Sequence, residues 1–232
     1  MFQKYIMNTI LIVLGVLLII ILYLSFFVFT GSQSLTAKVD LATTQAAITA
    51  DKIGNPGSVR YSFETWVYVY QFETGGKYLF SRAGATSGKN IGLKLGNSSP
   101  ELILEYTSVN SAGAKTPTSL TISNNFPIQT WAQVIVSIDN NYIDVYINGK
   151  LVKSIQETLE APSTSSSIEY GVTKAYLAKF VRNTYPIDPQ TAWDHYNSGN
   201  GIASSMSSML GNYGATIVFN KDSAEYSKLN LF

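Results

Sequence analysis

The sequence predicts an all-β domain, an antiparallel sandwich of two sheets, preceded by one N-terminal transmembrane helix. Three observations support this prediction. About ten short runs rich in β-branched and aromatic residues are separated by turn signals, without a regular alternation of strand and helix patterns. Asn148-Gly149, between two alternating runs, is the signature of a type I′ hairpin. Ahead of all these runs, the twenty residues from Ile10 to Phe29 carry no charge.

The uncharged run has the length of a membrane anchor. A helix rises about 1.5 Å per residue, so twenty residues cross a hydrocarbon core of roughly 30 Å. The alternative is a cleaved signal peptide, but bulky aromatic residues stand at the exit of the run, where a cleavage site needs small ones. Lys4 and Lys38 alone flank the run and do not set its orientation. We therefore predict a single-pass anchor in the lipid bilayer, represented by Ile10, Leu14, Leu18, Leu22, Phe26 and Phe29.

The remaining chain divides at turns and changes of composition. Asn55-Pro56-Gly57 is a strong turn signal before the first long strand. The predicted parts are a tail over 1–9, the helix over 10–29, a stalk with a possible first strand over 30–58, the sandwich over 59–200, and an extension with a possible final strand over 201–232. The predicted strands are 61–70, 78–82, 91–95, 102–106, 120–122, 131–138, 142–147, 150–155, 174–182 and 215–219, with a loop over 108–118.

Alternation within these strands predicts which side chains form the core. The inward positions are Phe63, Val67, Leu93, Leu95, Leu102, Leu104, Val134, Val136, Ile138, Val145, Ile147, Leu177 and Phe180. A short helix is predicted over 189–196, because Asp188 suits the N-cap and Pro189 the first helical position.

Composition excludes several classes of function. The chain has no cysteine, which rules out disulfides, thiolate metal sites and a cysteine nucleophile, and favours a reducing compartment. The net charge is +1 and the basic residues are dispersed, so we expect no nucleic-acid partner.

The residues that could carry chemistry have structural explanations. Asp139, Asn141 and Asp144 are oxygen-rich neighbours and weak candidates for a calcium site, but a hairpin turn explains them without metal. A carbohydrate site would use exposed aromatic rings, for which the candidates are Tyr106, Tyr142 and Tyr146.

No catalytic arrangement is predicted. Glu101 and Glu105 are four residues apart on a strand, about 13 Å by strand rise, which is too far for glycoside hydrolysis. His195 is the only histidine and lies on the predicted helix with no nucleophile motif nearby, so we interpret it as a surface or packing residue. We expect a protein that is not an enzyme and uses no cofactor.

Three segments resemble a known family. They are YSFETWVYV over 61–69, the strand at 131–136 with the hairpin IDVYINGKLV over 143–152, and AYLAKF over 175–180 with the ending PIDPQTAWDHY over 186–196. They resemble the laminin-G-like, or concanavalin A-like, jelly-roll family, which implies a jelly-roll sandwich. The residues that define the resemblance are Trp66, Trp131, Asn148, Gly149, Asp188, Pro189 and Trp193.

Together with the N-terminal anchor, this ending also resembles membrane-anchored minor capsid proteins of large icosahedral DNA viruses of the chlorovirus type. The resemblance implies a structural protein of the virion, at the internal membrane and the inner face of the capsid. Its partners would be the bilayer and other capsid proteins, either the major capsid protein or neighbouring minor ones. The alternative is a membrane-displayed, lectin-like module that binds carbohydrate or protein.

Overall fold

The structure, a computed structural model, describes residues 13–21, 31–86, 88–200, 216–221 and 224–230. Residues 13–21 form helix α1, Ala50–Lys52 a 3-10 turn and Pro189–Asn197 helix α2. The strands are β1 Ser32–Asp40, β2 Arg60–Val69, β3 Tyr78–Ala83, β4 Lys89–Leu95, β5 Leu102–Val109, β6 Lys115–Ser123, β7 Ala132–Asp139, β8 Tyr142–Ile147, β9 Lys150–Gln156, β10 Ile168–Tyr170, β11 Ala175–Asn183, β12 Thr216–Lys221 and β13 Ala224–Asn230.

Two sheets form the sandwich. The six-stranded sheet has the order β1-β11-β2-β7-β8-β9, and the five-stranded sheet has the order β10-β3-β4-β5-β6. All pairs among β2 to β11 are antiparallel, so the predicted two-sheet antiparallel sandwich is confirmed. Strands β12 and β13 pair as a separate hairpin that contains the predicted final strand.

The core lies between the two sheets and contains the side chains predicted to point inward. Twelve of the thirteen are buried, and Ile147 is partly buried against them. Phe63, Phe80 and Phe180 meet at its centre, with ring centroids 4.8 to 6.0 Å apart. Alternation identified these positions correctly because each interior strand buries one face completely.

The predicted hairpins are confirmed at their turns. Asn148 and Gly149 have φ angles of 50° and 72°, and Asn140 has a φ of 55°. A type I′ turn needs positive φ at both central residues, which Asn and Gly tolerate best. Gly149 has a second requirement, since an added Cβ would lie about 3.0 Å from Trp193 and Tyr196 of α2. The glycine therefore sets the turn and lets the helix pack on it.

The structure differs from the predictions at the sheet edges. Strand β1 lies at 32–40 in the segment 30–58, which was predicted as a stalk with a possible first strand, and it forms one edge of the six-stranded sheet. The predicted loop 108–118 is largely strand, because β5 continues to Val109 and β6 begins at Lys115. Strands β10 and β13 were not predicted. β6 contains Pro117 and is mostly exposed, which an edge strand tolerates and a central strand does not.

Only part of the predicted anchor lies among the described residues. Leu14 and Leu18 belong to α1 and are 59% and 60% exposed. Ile10, Leu22, Phe26 and Phe29 lie outside the described residues, as do the tail and most of the extension. Within the described part of the chain, every helix falls short of the length and hydropathy that a membrane-crossing helix requires.

Two arginines are buried inside the sandwich and bind main-chain carbonyls of loops. Arg182, fully buried on β11, donates to the carbonyls of Gly54 and Asn55. Burial and the charge of Arg82 lower the pKa of Arg182 to about 10, so its guanidinium stays charged at neutral pH. Arg82 on β3 donates to the carbonyl of Ser163 at 2.8 Å. Each arginine therefore fastens one loop to the core through charge-assisted hydrogen bonds.

The predicted cap of α2 leads to a first test. Asp188 accepts hydrogen bonds from the main-chain N–H and the hydroxyl of Thr191, both at 2.9 Å. We expect Asp188→Ala to lower the free energy of unfolding by about 1 kcal/mol, because the first turn loses its acceptor. Urea denaturation measures it, with Asp194→Ala on the same helix as the control. An equal loss in both variants would contradict the role of Asp188 as the cap.

Candidate functional site

A row of small and polar residues crosses the outer face of the five-stranded sheet. Direct cross-strand partners link Glu169 to Ser81, Ser81 to Gly92, Gly92 to Glu105, and Glu105 to Ser119. Direct partners share a face, so all five positions point away from the core. With strands about 4.8 Å apart, the row spans about 19 Å. It offers a continuous polar surface across the whole sheet.

Gly92 lies at the centre of this row. Because it has no side chain, the side chains of Tyr78 and Lys89 can pass over it. A Cβ at this position would lie 3.0 Å from both Cε1 of Tyr78 and Cδ of Lys89. The ammonium of Lys89 thereby reaches a point 4.5 Å from the centre of the Tyr78 ring, within the range of a cation–π interaction. The glycine thus allows an aromatic ring and a cation to meet in the middle of the sheet.

A hydrogen-bonded network holds Tyr78 in place. Its hydroxyl donates to the carboxylate of Glu105, which also pairs with Lys94. Partial burial of Glu105 raises its pKa, but the hydrogen bonds from Lys94 and Tyr78 lower it by more, so the pKa lies below the ordinary value. Glu105 therefore stays ionised and is neutralised by its own lysine.

The Tyr78 side chain forms a central ridge over Gly92, and a depression lies on each side of it. The wide one, about 360 Å³, is lined mainly by polar residues of β3, β10 and the preceding loop: Ser81, Ala83, Gly88, Lys89, Ser166, Ser167 and Glu169. The narrow one, about 210 Å³, is lined by Gly88, Lys89, Glu105, Tyr106, Thr107, Pro117, Thr118 and Ser119. Both share Gly88 and Lys89. We call the two depressions together the five-strand groove.

Buried charges fix the rims of the five-strand groove. Glu160 is 3% exposed and accepts hydrogen bonds from the main-chain N–H of Thr86 at 2.9 Å and from Lys115 at 2.9 Å. Burial raises the pKa of Glu160, but the Thr86 and Lys115 hydrogen bonds lower it to about 2. On the other side, Arg82 binds the carbonyl of Ser163, close to Ser166 of the wide depression. The hydrogen bonds of Glu160 and Arg82 therefore hold the loops at the two rims of the groove in place.

The predicted metal candidates lie elsewhere. Asp139 and Asp144 line a cleft of about 200 Å³ with Tyr142 and Asp188, next to the outer face of the six-stranded sheet, whereas Asn141 does not line it. Among the described residues, the acidic and histidine side chains form no group of three or more that could hold a metal ion. A calcium site stays a prediction.

The structure separates the three candidate tyrosines. Tyr106 and Tyr146 are 2% and 1% exposed, and their hydroxyls donate to Glu157 and to the carbonyl of Ile187. Both rings are buried, so neither is the exposed aromatic ring that was expected, although Tyr106 is among the residues that line the narrow depression. Tyr142 is 48% exposed. The sequence could not separate them, because all three are simply strand tyrosines.

The only histidine has a partner that the sequence did not predict. Nδ1 of His195 lies 2.6 Å from the carboxylate of Glu64, which is buried on β2 and also accepts from Gln133 at 3.0 Å. The hydrogen bond to Glu64 raises the pKa of His195. Next to this pair, Tyr196 stacks on Trp66 with ring centroids 5.6 Å apart. These contacts pack α2 onto the six-stranded sheet, consistent with a packing histidine.

The sequence prediction missed Lys89, Gly92 and Thr107 as site residues. A signal was present at Gly92, since a glycine inside a clean strand pattern often marks a close approach of another group. Lys89 and Thr107 had no such signal, because their neighbours come from other strands.

Comparisons with solved structures find similar chains at low sequence identity. The binding domain of botulinum neurotoxin DC in complex with SialylT is 15% identical with a TM-score of 0.47, covering 62% of this chain and 37% of that chain. Botulinum neurotoxin type C is 17% identical with a TM-score of 0.48, covering 72% of this chain and 42% of that chain. Domain 4 of AbnA, a GH43 extracellular arabinanase from Geobacillus stearothermophilus, in complex with arabinotriose, is 19% identical with a TM-score of 0.45, covering 63% of this chain and 69% of that chain. This chain spans less than half of the two neurotoxin chains.

The family comparison is more specific, although the comparison with curated proteins gives no match. The family model of the concanavalin A-like lectin/glucanases superfamily matches residues 41–181, more than half of the chain. The matched segment includes all five strands of the five-strand groove and β2, β7, β8 and β9 of the other sheet. The chain belongs to the concanavalin A-like lectin/glucanases superfamily.

Proposed function

We propose that this protein is a lectin-like module that binds a saccharide in the five-strand groove without hydrolysing it. The observation that carries the proposal is the polar row across five strands with a depression on each side of Gly92. Serine, threonine and carboxylate groups supply the donors and acceptors that a hydroxyl-rich ligand needs. Ligand sites are concave, and a small number of placed polar groups fix the orientation of the ligand in them. Membership of a superfamily that includes lectins agrees with it.

The state of the carboxylates supports binding rather than hydrolysis. A glycoside hydrolase needs an acid whose pKa is raised, together with a second carboxylate close by. The pKa of Glu105 is lowered, and among the described residues it is the one carboxylate that lines the narrow depression. Glu169 is likewise the one described carboxylate that lines the wide depression. The described residues of each depression therefore lack the pair that the reaction requires.

A steric block tests the site. We expect Ser81→Tyr to weaken saccharide binding at least tenfold, because a ring at this position fills the wide depression, whereas Thr121→Tyr should bind as the wild type does. Thr121 lies on the same face of the sheet but lines neither depression. The measurement is binding of the purified full chain in detergent to a glycan array, followed by titration of the best ligand.

The two variants make the result decisive. Both introduce a residue with high strand propensity, so a general effect on folding would appear in both. Equal binding by wild type and Ser81→Tyr would exclude the five-strand groove as the site. Failure of the wild type to bind any glycan on the array would contradict the proposed function.

A second candidate function is a structural tether between a membrane and a protein shell, as the resemblance to minor capsid proteins implies. It is favoured by a partly exposed aromatic cluster on the outer face of the six-stranded sheet. Tyr68, Tyr70, Trp131 and Tyr176 have neighbouring ring centroids 5.1 to 6.3 Å apart, and the ammonium of Lys38 lies 4.8 Å from the Tyr176 ring. Tyrosine and tryptophan are enriched in protein interfaces.

Fractionation distinguishes the tether from the free lectin. A tether should remain with purified particles in high salt and be released by detergent, because the apolar run would be held in lipid. Crosslinking with mass spectrometry should then identify shell proteins at the aromatic cluster. Absence of the protein from purified particles would exclude the tether.

A further inference from the structure

One buried hydroxyl in the five-strand groove lacks a protein partner. Thr107 is 2% exposed and lines the narrow depression, yet its hydroxyl makes no hydrogen bond to any described residue. A buried polar group without a partner costs free energy, so such groups in native proteins need an explanation. The oxygen lies directly beside Gly88, where an added Cβ would be 2.5 Å from it. The oxygen itself is buried, and the glycine at position 88 leaves the space beside it free of a side chain.

The charges around the narrow depression favour an anion. Lys94 already pairs with Glu105, whereas Lys89 forms no ion pair within the described residues and lies over the Tyr78 ring. These three charged groups leave one positive charge in excess at Lys89. Lys89 lines both depressions. Among the described residues, the carboxylate that lines the narrow depression, Glu105, is paired with Lys94, whereas Glu169 of the wide depression forms no ion pair. The positive charge of Lys89 is therefore less compensated on the side of the narrow depression.

We propose that the narrow depression selects an anionic saccharide, whose carboxylate or sulfate group is bound by the ammonium of Lys89 and the hydroxyl of Thr107. The neutral part of the same ligand occupies the wide depression, where serine hydroxyls dominate. This specificity rests on the proposed saccharide binding. A lysine acts as a point charge and does not distinguish carboxylate from sulfate, so the shared feature is the negative charge.

Matched ligand pairs on a glycan array test the inference. The pairs are oligogalacturonates against their methyl esters and sulfated against unsulfated galactans, probed with the full chain in detergent at low and high salt. We expect the charged member to bind about tenfold more tightly at low salt, since hydrogen bonds to a charged group are the stronger ones. The difference should shrink at high salt. Preference in the first pair assigns a sugar acid, and preference in the second assigns a sulfate ester.

Substitution of the cation gives the decisive comparison. Lys89→Met keeps the apolar stem that crosses Gly92 but removes the charge, so it should abolish the preference for charged ligands while leaving neutral ones bound. Lys153→Met on the exposed strand β9 is the control and should retain the preference. Equal binding of charged and neutral ligands by the wild type would overturn this inference but leave the proposed function intact. Absence of all saccharide binding would overturn both.

Thr107→Val tests the hydroxyl separately. Valine has the same shape, so the loss of an unpartnered hydroxyl should leave the melting temperature unchanged or raise it. Affinity for the charged ligand should nevertheless fall about fivefold or more, because the bound anion loses a donor. Thr121→Val, an isosteric change elsewhere on the same face, should alter neither quantity. A lower melting temperature with unchanged affinity for Thr107→Val would show that the hydroxyl is structural and overturn its role.

Discussion

Gly171→Ala is expected to destabilise the fold by about 3 kcal/mol, as overpacking against a rigid neighbour does. Gly171 lies between β10 and β11, and its main-chain N–H donates to the carbonyl of Leu79 at 3.3 Å. A methyl group at this position would overlap the carbonyl oxygen of Tyr78. Because the obstacle is backbone, no rotamer change can relieve the overlap, and β10 must move away from β3.

This displacement should also weaken ligand binding. Tyr78 forms the central ridge of the five-strand groove, and Glu169 of β10 stands at its edge. Urea denaturation gives the free energy of unfolding, and Val172→Ala is the control because the neighbouring Val172 is 49% exposed. A loss below about 0.5 kcal/mol in Gly171→Ala, which is the level of ordinary surface changes, would contradict the close approach of the two segments.

Glu160→Gln is expected to cost about 3 kcal/mol at pH 7. The pKa of Glu160 falls from an ordinary value of 4.5 to about 2 in the folded protein, and each unit of difference corresponds to about 1.4 kcal/mol. The variant keeps an amide oxygen for Thr86 but removes the negative charge that binds Lys115. Thr86 and strand β6 would both lose the charged partner that they share.

The sign of the pH dependence follows from the lowered pKa. The unfolded chain binds the proton of this carboxyl first as the pH falls, so the stabilisation is complete above about pH 4.5 and is lost between about pH 4.5 and pH 2. The wild type should therefore lose stability more steeply than Glu160→Gln over this range, and the two should converge near pH 2.

Thermal melting between pH 7 and pH 2 measures this difference. Glu169→Gln, a change at an exposed carboxyl on β10, serves as the control and should follow the wild type. Parallel curves for wild type and Glu160→Gln across the acidic range would contradict the charge-assisted role of the buried carboxylate.

Interior strands were predictable from the sequence, whereas edge strands were not. Strands β2, β4 and β7 bury one face against the core, so their apolar alternation is visible in the sequence. Strands β1, β6 and β10 lie at the edges of the two sandwich sheets, and the longest missed strand segments of the sandwich belong to them or to the end of β5 beside β6. Strand β13, in the separate hairpin, was also missed. β9 is also an edge, but Asn148-Gly149 revealed it through the turn. Edge strands bury less side-chain area, so selection for apolar residues there is weak.

The residues of the five-strand groove were also not predictable from the sequence. The residues predicted from the sequence, Asp139, Asn141 and Asp144, are close in the chain and share one hairpin. The residues that form the five-strand groove come from five strands between Tyr78 and Tyr170 and meet only through cross-strand pairing. Glu64 and His195 likewise pair across 131 residues of sequence. Local spacing cannot show such neighbours, since the register between strands decides them.

The sequence by itself determined the all-β sandwich, the core faces, the type I′ hairpin and the capped helix, because alternation, turn conformation and capping are local properties of the chain. The apolar run from Ile10 to Phe29 was equally plain as a pattern, and its role as an anchor stays a prediction. Only the tertiary structure decided that Gly92 lies under Tyr78 and Lys89, that Thr107 is buried without a partner, and that Glu160 joins two distant segments. Those features depend on sheet order and register, which are fixed by the packing of the whole domain.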